Sequence, residues 1–73
     1  MIKQDFMKFT ERLNEVLKQN KMKQTDIAKA CNVSRQNITN WKTGTGYPSI
    51  DTLYRLCKYL DVSSDYLLGL SDD

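Results

Sequence analysis

The sequence predicts an all-α domain of five helices and no β-strand. Two observations carry this prediction. Apolar residues recur at spacings of three and four along separate segments, and residues that break helices occur only between or after those segments. Pro48 is the only proline, and the three glycines are Gly44, Gly46 and Gly69. The chain has 73 residues, 40% of them apolar, which favours one domain over residues 1–73 with its core at about 6–70.

The first predicted helix spans about 6–19, with Asp5 as its N-cap. Its apolar stripe consists of Phe6, Phe9, Leu13, Val16 and Leu17. We expect the helix to end at Asn20-Lys21, because asparagine tolerates a left-handed conformation. Met22 is then expected to turn inward.

The second predicted helix covers about 24–31. Lys23 stands in its cap position, so the free amides at its start lack the usual side-chain acceptor. Ala28 is expected to matter for its smallness, since a larger side chain would keep the next helix from crossing closely. Asn32 occupies the sharp turn that follows, where asparagine tolerates a positive φ.

The third predicted helix begins after the N-cap Ser34 and runs to about Thr43. Ile38 and Trp41 lie three residues apart on one face and should anchor the helix to the core. This shared face favours a core role for Trp41 over a stacking or ligand-binding role. Tyr47, in the loop that follows, either covers the core or lines a partner surface.

The fourth predicted helix is capped by Ser49 and ends at Leu60, with Asp61 after it and Val62 packing back. Its expected buried stripe consists of Ile50, Leu53, Leu56, Cys57 and Leu60. A fifth, short helix follows the N-cap Ser63. The residues expected on or near the core from this helix are Tyr66, Leu67 and Leu70.

The net charge of +2 is unevenly distributed. Residues 1–60 carry a net charge of +6, and residues 61–73 carry −4. Within 18–42, six basic side chains face a single acid, Asp26. The positive field is therefore centred on the second and third predicted helices.

Several function classes find no support in the sequence. Cys31 and Cys57 lie on apolar helix faces and read as small buried residues rather than a disulfide or metal site. There is no histidine and no CxxC motif, so a zinc site has too few ligands. No catalytic constellation or phosphate-binding glycine loop can be assembled, so we expect no enzyme, cofactor or small-molecule substrate.

The polar N-terminus and the lack of a long apolar run predict a cytoplasmic protein without a membrane contact.

The outward face of the third predicted helix is unusual for a solvated surface. Its members are amides, a hydroxyl and one arginine: Arg35, Gln36, Asn37, Thr39 and Asn40. The hydrogen-bond donors and acceptors of these side chains match those on base edges in the major groove of DNA. Two short helices joined by a tight turn, with such a face on the second, indicate a DNA-reading helix-turn-helix.

Four segments in order, at matching spacing, resemble the phage-repressor-like (Cro/CI, XRE-type) helix-turn-helix family. They are QTDIA at 24–28, VSRQNITNW at 33–41, Gly44 with PSIDTL at 48–53, and LDVSSDYLL at 60–68. The resemblance covers roughly residues 9–70. It implies a lambda-repressor-like five-helix domain that places its third helix in the major groove, in a bacterial or phage-encoded protein associated with the nucleoid.

The resemblance also implies roles for individual residues. The residues at base-contacting positions are Arg35, Gln36 and Asn40, with Ser34 and Asn37 as secondary contacts. The residues expected at DNA phosphates are Gln24, Lys23, Thr39, Lys42, Thr43 and Thr45. Many relatives pair an arginine in the first helix with a glutamate after the tryptophan; here Leu17 and Lys42 stand there, which predicts an apolar contact and a free base.

The C-terminal third contains candidates for a dimer or partner interface. They are Tyr59, Tyr66, Leu68 and Leu70. In the resembled family this region often forms a two-fold contact, and aromatic residues are enriched at interfaces. The alternative, that these side chains only cap the core of a small protein, is equally compatible with the sequence.

The sequence thus predicts a sequence-specific regulator that binds double-stranded DNA. The expected form is a repressor or phage-type switch protein acting as a homodimer on a palindromic operator. The rival hypothesis is a modulator or antirepressor that uses the same fold to hold a partner repressor. The polar third helix favours DNA, whereas the acidic C-terminus and the missing arginine–glutamate pair leave room for the rival.

Overall fold

The structure, a computed structural model, describes the backbone of residues 2–72 and the side chains of residues 8–72. Five helices follow one another in this part of the chain. They are α1 (Ile2–Asn20), α2 (Gln24–Cys31), α3 (Arg35–Thr43), α4 (Ile50–Leu60) and α5 (Ser64–Leu68). The predicted all-α class is confirmed, and residues 2–72 contain no strand.

The start of α1 differs from the prediction, whereas its predicted exit at Asn20-Lys21 is confirmed. The helix begins at Ile2, so Asp5 lies inside it and not at its cap. No glycine or proline interrupts the first residues, so nothing there stops the helix. The predicted place of Phe6 in the apolar stripe falls outside the described side chains. At the other end Asn20 is the last helical residue, and its Nδ2 donates to the carbonyl of Val16 at 2.8 Å. Lys21, rather than Asn20, takes the left-handed conformation, with φ 52°.

The three predicted serine caps are present. The hydroxyls of Ser34, Ser49 and Ser63 each accept a hydrogen bond from the backbone N–H three residues later. Lys23 makes no such bond, as expected. Asn32 adopts φ 58° at the sharp turn between α2 and α3. Each of these features depends on residues close in sequence, which is why the pattern predicts them well.

The core lies where α1 packs on α3 and α5, and where α2 packs on α3 and α4. Its buried apolar members are Phe9, Leu13, Val16, Leu17, Ile27, Ala28, Cys31, Ile38, Trp41, Leu56, Leu60 and Leu67. Met22 and Val62 pack against this cluster, as predicted. Trp41 is 4% exposed, which confirms its role as a core anchor.

The predicted buried stripe of α4 is wrong at its first residue. Ile50 is 86% exposed, whereas Thr52 is buried. The inward face is centred on Leu56, with Thr52 and Leu60 four residues to either side, and Ile50 points well away from it. The Thr52 hydroxyl can be buried because it accepts a hydrogen bond from the Ser49 hydroxyl at 2.9 Å.

The prediction that Leu70 lies on or near the core is also wrong. It is 74% exposed because α5 ends at Leu68 and Gly69 takes φ 81°, which redirects the chain. A single α1 side chain holds the segment that follows. Arg12 Nη1 donates to the carbonyls of Tyr66 and Ser71, and Arg12 Nη2 lies 3.5 Å from an Asp72 carboxylate oxygen.

We expect Gly69→Ala to lower the free energy of unfolding by about 2 kcal/mol. The positive φ is unfavourable for alanine, and the added Cβ would lie 2.8 Å from the Cβ of Lys8 on α1. Gly44→Ala is the matched control. It has the same φ problem at 80°, but its Cβ would lie 3.6 Å from Thr10 Oγ1, so only about 1 kcal/mol should be lost. Urea unfolding of both variants measures the difference; equal losses would mean that the Lys8 contact relaxes freely.

Candidate nucleic-acid interface

The two faces of α3 have opposite environments. Ile38 and Trp41 are buried against the core. The exposed residues are Arg35, Gln36, Asn37 and Thr39, while Asn40 is partly buried. Ser34, at the cap, is exposed although its hydroxyl is engaged by the Asn37 amide. The α3 residues that the sequence assigned to DNA are therefore all at least partly accessible, and Gln36, Thr39 and Asn40 lie on the side of the helix away from the buried pair.

Within this face, Gln36 and Asn40 form a pair. Gln36 Nε2 donates to Asn40 Oδ1 at 3.0 Å, the contact expected for residues four apart on a helix. Arg35 makes no hydrogen bond or ion pair with any described residue, so its five donors are available to a partner. The pair restricts the two amides, whereas the guanidinium stays free to reach outward.

Gln24, at the start of α2, lies against α3. Its Nε2 donates to Thr39 Oγ1 at 3.0 Å, and its Oε1 accepts from Lys42 Nζ at 3.2 Å. Lys42 is therefore not the free base that the sequence predicted. The companion expectation for Leu17 is confirmed, because that side chain is buried in the apolar core.

An open groove of about 800 Å³ lies between the second half of α1, the start of α2 and α3. Its lining residues are Asn14, Leu17, Lys18, Met22, Lys23, Gln24, Thr25, Arg35, Gln36, Thr39 and Lys42. Four of these are basic and none is acidic, so the groove carries a positive potential. The positive end of the α2 helix dipole also lies here and has no side-chain cap, and Asp26, outside the groove lining, offsets part of it from the first turn of α2.

The loop after α3 brings two hydroxyls together. Thr43 Oγ1 lies 3.0 Å from Thr45 Oγ1 and also bonds the carbonyl of Thr39 at 3.1 Å. The Thr45 amide donates to the carbonyl of Asn40 at 3.0 Å, which closes the loop on the helix. Both threonines are exposed. The predicted phosphate contacts of the loop thus lie at the C-terminal end of α3, and those of α2 lie in the groove.

An α1 side chain that the sequence analysis passed over secures this arrangement. Asn14 Nδ2 donates to the carbonyls of Thr10 and Lys42, each at 2.9 Å. It therefore ties the last turn of α3 to α1. Nothing in the sequence around Asn14 indicates a partner 28 residues away, so this contact could not be predicted from local pattern.

The four predicted interface residues do not behave alike. Tyr59, Leu68 and Leu70 are exposed. Tyr66 is partly buried, and the Arg12 guanidinium lies 4.4 Å from its ring centroid. Tyr66 is thus engaged within the chain by a cation–π contact. A role of these residues in dimer contact stays a prediction.

Another exposed apolar surface lies on α4, although the sequence pattern placed one of its members, Ile50, in the buried stripe. It consists of Ile50 and Tyr54 on α4, four residues apart, with Tyr54 64% exposed. Tyr47 is also exposed, and its ring packs edge-on against Phe9 with centroids 5.9 Å apart. Tyr47 therefore covers the core and is still partly accessible. Both predicted roles, covering the core and lining a partner surface, are compatible with this position.

The cysteines play the structural role that the sequence predicts. Both are free thiols; Cys31 is fully buried and Cys57 partly buried. Burial raises the pKa of each thiol, so both stay protonated and unreactive near neutral pH. Among the described residues, no group of three His, Cys, Asp or Glu side chains could hold a metal ion. Nor does any helix in that part of the chain have the length and apolar character to cross a membrane.

Comparison with known proteins agrees with this geometry. A family model described as helix-turn-helix matches residues 13–67, and the chain belongs to this family. Membership confirms the resemblance drawn from the sequence, the fold class and the prediction that the chain is not an enzyme. No solved structure matches the chain significantly.

Similar curated proteins are all named as transcriptional regulators. The chain is 34% identical over 63 residues to the HTH-type transcriptional activator BcrR of Enterococcus faecalis, covering 86% of this chain and 31% of that protein. It is 33% identical over 63 residues to the HTH-type transcriptional regulator ImmR of Bacillus subtilis, covering 86% and 50%. An uncharacterized HTH-type transcriptional regulator of Bacillus subtilis, YqaE, is 37% identical over 60 residues, covering 82% and 52%. The chain thus spans about half or less of the length of these relatives.

Proposed function

We propose that this chain is a sequence-specific, double-stranded-DNA-binding regulator of transcription that reads bases through α3 in the major groove. The observation that carries the proposal is the exposed face of α3, where Arg35 and three amides stand opposite a buried anchor. Arginine matches guanine O6 and N7, and glutamine or asparagine matches adenine N6 and N7. A surface that served only for solvation would more often carry mixed acids and bases.

Two groups of contacts flank this face and suit the DNA backbone. The basic groove with Lys23 and Gln24 lies between α3 and the start of α2, and the Thr43–Thr45 hydroxyl pair lies at the C-terminal end of α3. Phosphate contacts of this kind set the orientation of a recognition helix without reading sequence. Lysines in them release counterions, so affinity falls as salt rises.

In its finer form the proposal is a repressor or phage-type switch protein in the bacterial cytoplasm, bound as a homodimer to a palindromic operator. The half-sites of such an operator are about 34 Å apart on one face of the duplex. The exposed Tyr59, Leu68 and Leu70 supply apolar surface for a second copy. One similar protein is named an activator, so the sign of regulation is tested separately, by reporter expression from the recovered site.

The test is selection of binders from a randomised duplex library at near-physiological salt. We expect one palindromic motif, with binding that weakens as salt rises because several phosphates are neutralised. Recovery of a single half-site would keep the DNA reader but remove the dimer. Recovery of nothing above background would favour the modulator that holds a partner repressor, whose apolar contact should depend little on salt.

A further inference from the structure

The ammonium group of Lys42 contacts another side chain of the protein, an interaction that base recognition does not by itself require. It lies in the last turn of α3 and is partly buried, and its Nζ donates to Gln24 Oε1 on α2. A lysine ordinarily keeps its ammonium group in water, where the charge is hydrated. Fixing so long a side chain also loses rotamer freedom. Here the ammonium is directed to one neutral acceptor across an interhelical groove.

The chemistry of this contact sets the direction of the Gln24 amide. A glutamine amide has an oxygen and a nitrogen of similar shape, so either end could face a neighbour. An ammonium only donates, so Oε1 must be the end that faces Lys42. Nε2 then faces Thr39 Oγ1, 3.0 Å away. One of the two Nε2 hydrogens is used in that bond, and the other remains for a ligand.

The ligand class follows from the surroundings of that hydrogen. The groove holds Lys18, Lys23 and Arg35 and no acid, and the start of α2 has no side-chain cap. A donor beside a helix N-terminus in a basic groove suits an anionic oxygen. On the proposed function, this oxygen belongs to a backbone phosphate of the operator.

We propose that Lys42 is a positioning residue that orients Gln24 to donate to a DNA phosphate, and does not itself bind the phosphate. The inference rests on the proposed function and revises the sequence-based assignment of Lys42 as a direct contact. The same bonds join the start of α2 to Thr39 on the base-reading helix. They therefore hold the phosphate contact and the base contacts in a fixed relation.

The test in the free protein needs no DNA. In wild type, the Gln24 side-chain amide should give NMR signals displaced from those of a solvated glutamine, because Thr39 and Lys42 hold the two ends of the amide. Lys42→Met keeps the aliphatic stem and removes the donor, so these signals should move toward those of a solvated glutamine, while Lys42→Arg should leave them close to their wild-type positions. Unchanged Gln24 signals in Lys42→Met would overturn the positioning role, whatever the protein binds.

The test with DNA is a double-mutant cycle on the duplex recovered by selection. Gln24→Ala and Lys42→Met should each weaken binding about tenfold, as expected for one charge-assisted hydrogen bond. The double variant should bind no more weakly than Gln24→Ala alone, because Lys42 acts through Gln24. Thermal unfolding of each variant checks that the loss is not one of folding.

Additive losses, with a salt dependence reduced by about one counterion in Lys42→Met, would show that Lys42 contacts phosphate directly. That result would overturn this inference and leave the proposed function intact. Failure of the wild-type chain to bind any duplex would instead remove the proposed function, and the NMR comparison would still decide whether Lys42 orients Gln24.

Discussion

Trp41→Ala is expected to lower the free energy of unfolding by about 3–5 kcal/mol, which is enough to unfold a domain of this size. Trp41 is 4% exposed and belongs to the core where α1, α2 and α3 meet. Its removal leaves a cavity that short helices held by this one core cannot refill. Small domains have little stability to lose, because they bury a modest share of their surface.

Urea unfolding followed by circular dichroism measures this effect without relying on the tryptophan signal. Ile50→Ala is the matched control, since it shortens an apolar side chain that is 86% exposed and should change stability by no more than about 0.5 kcal/mol. A Trp41→Ala variant that unfolds cooperatively at the wild-type urea concentration would mean that the indole is functional and not structural.

Arg35→Ala should remove most of the preference for the operator over random duplex while leaving the fold intact. Its side chain is exposed and has no partner among the described residues, so its loss costs the free protein little. A bidentate arginine–guanine contact discriminates by about 1–3 kcal/mol, so selectivity should fall by roughly ten- to a hundredfold. Competition between operator and random duplex at fixed salt measures it.

The control for Arg35→Ala is Arg55→Ala. Arg55 is an exposed arginine on α4, outside the basic groove, so its replacement removes the same charge without touching α3. General affinity should fall slightly in both variants, but selectivity only in the first. If the Arg35 variant still chooses the operator, another element reads the bases and the assignment of α3 is wrong.

Most of the fold could be predicted from the residues, because the signals involved are local. The Ser34, Ser49 and Ser63 caps act across three residues, and the left-handed Asn32 acts within one turn. Helical periodicity likewise placed Ile38 and Trp41 inside and Arg35 outside. These interactions need no information about which helices meet, so the helix-turn-helix and its outward face could be predicted from the residues alone.

The packing of the helices determined which side chains find partners far along the chain. Lys42 meets Gln24 across 18 residues, and Arg12 holds the Tyr66 carbonyl across 54. It also decided that Ile50 faces solvent, because the packing of α4 on α2 and α5 selects which side of an apolar helix is buried. A pattern of residue types shows that a helix has an apolar side. Only the neighbouring helices determine how wide the buried part is and which polar groups lie within hydrogen-bonding distance.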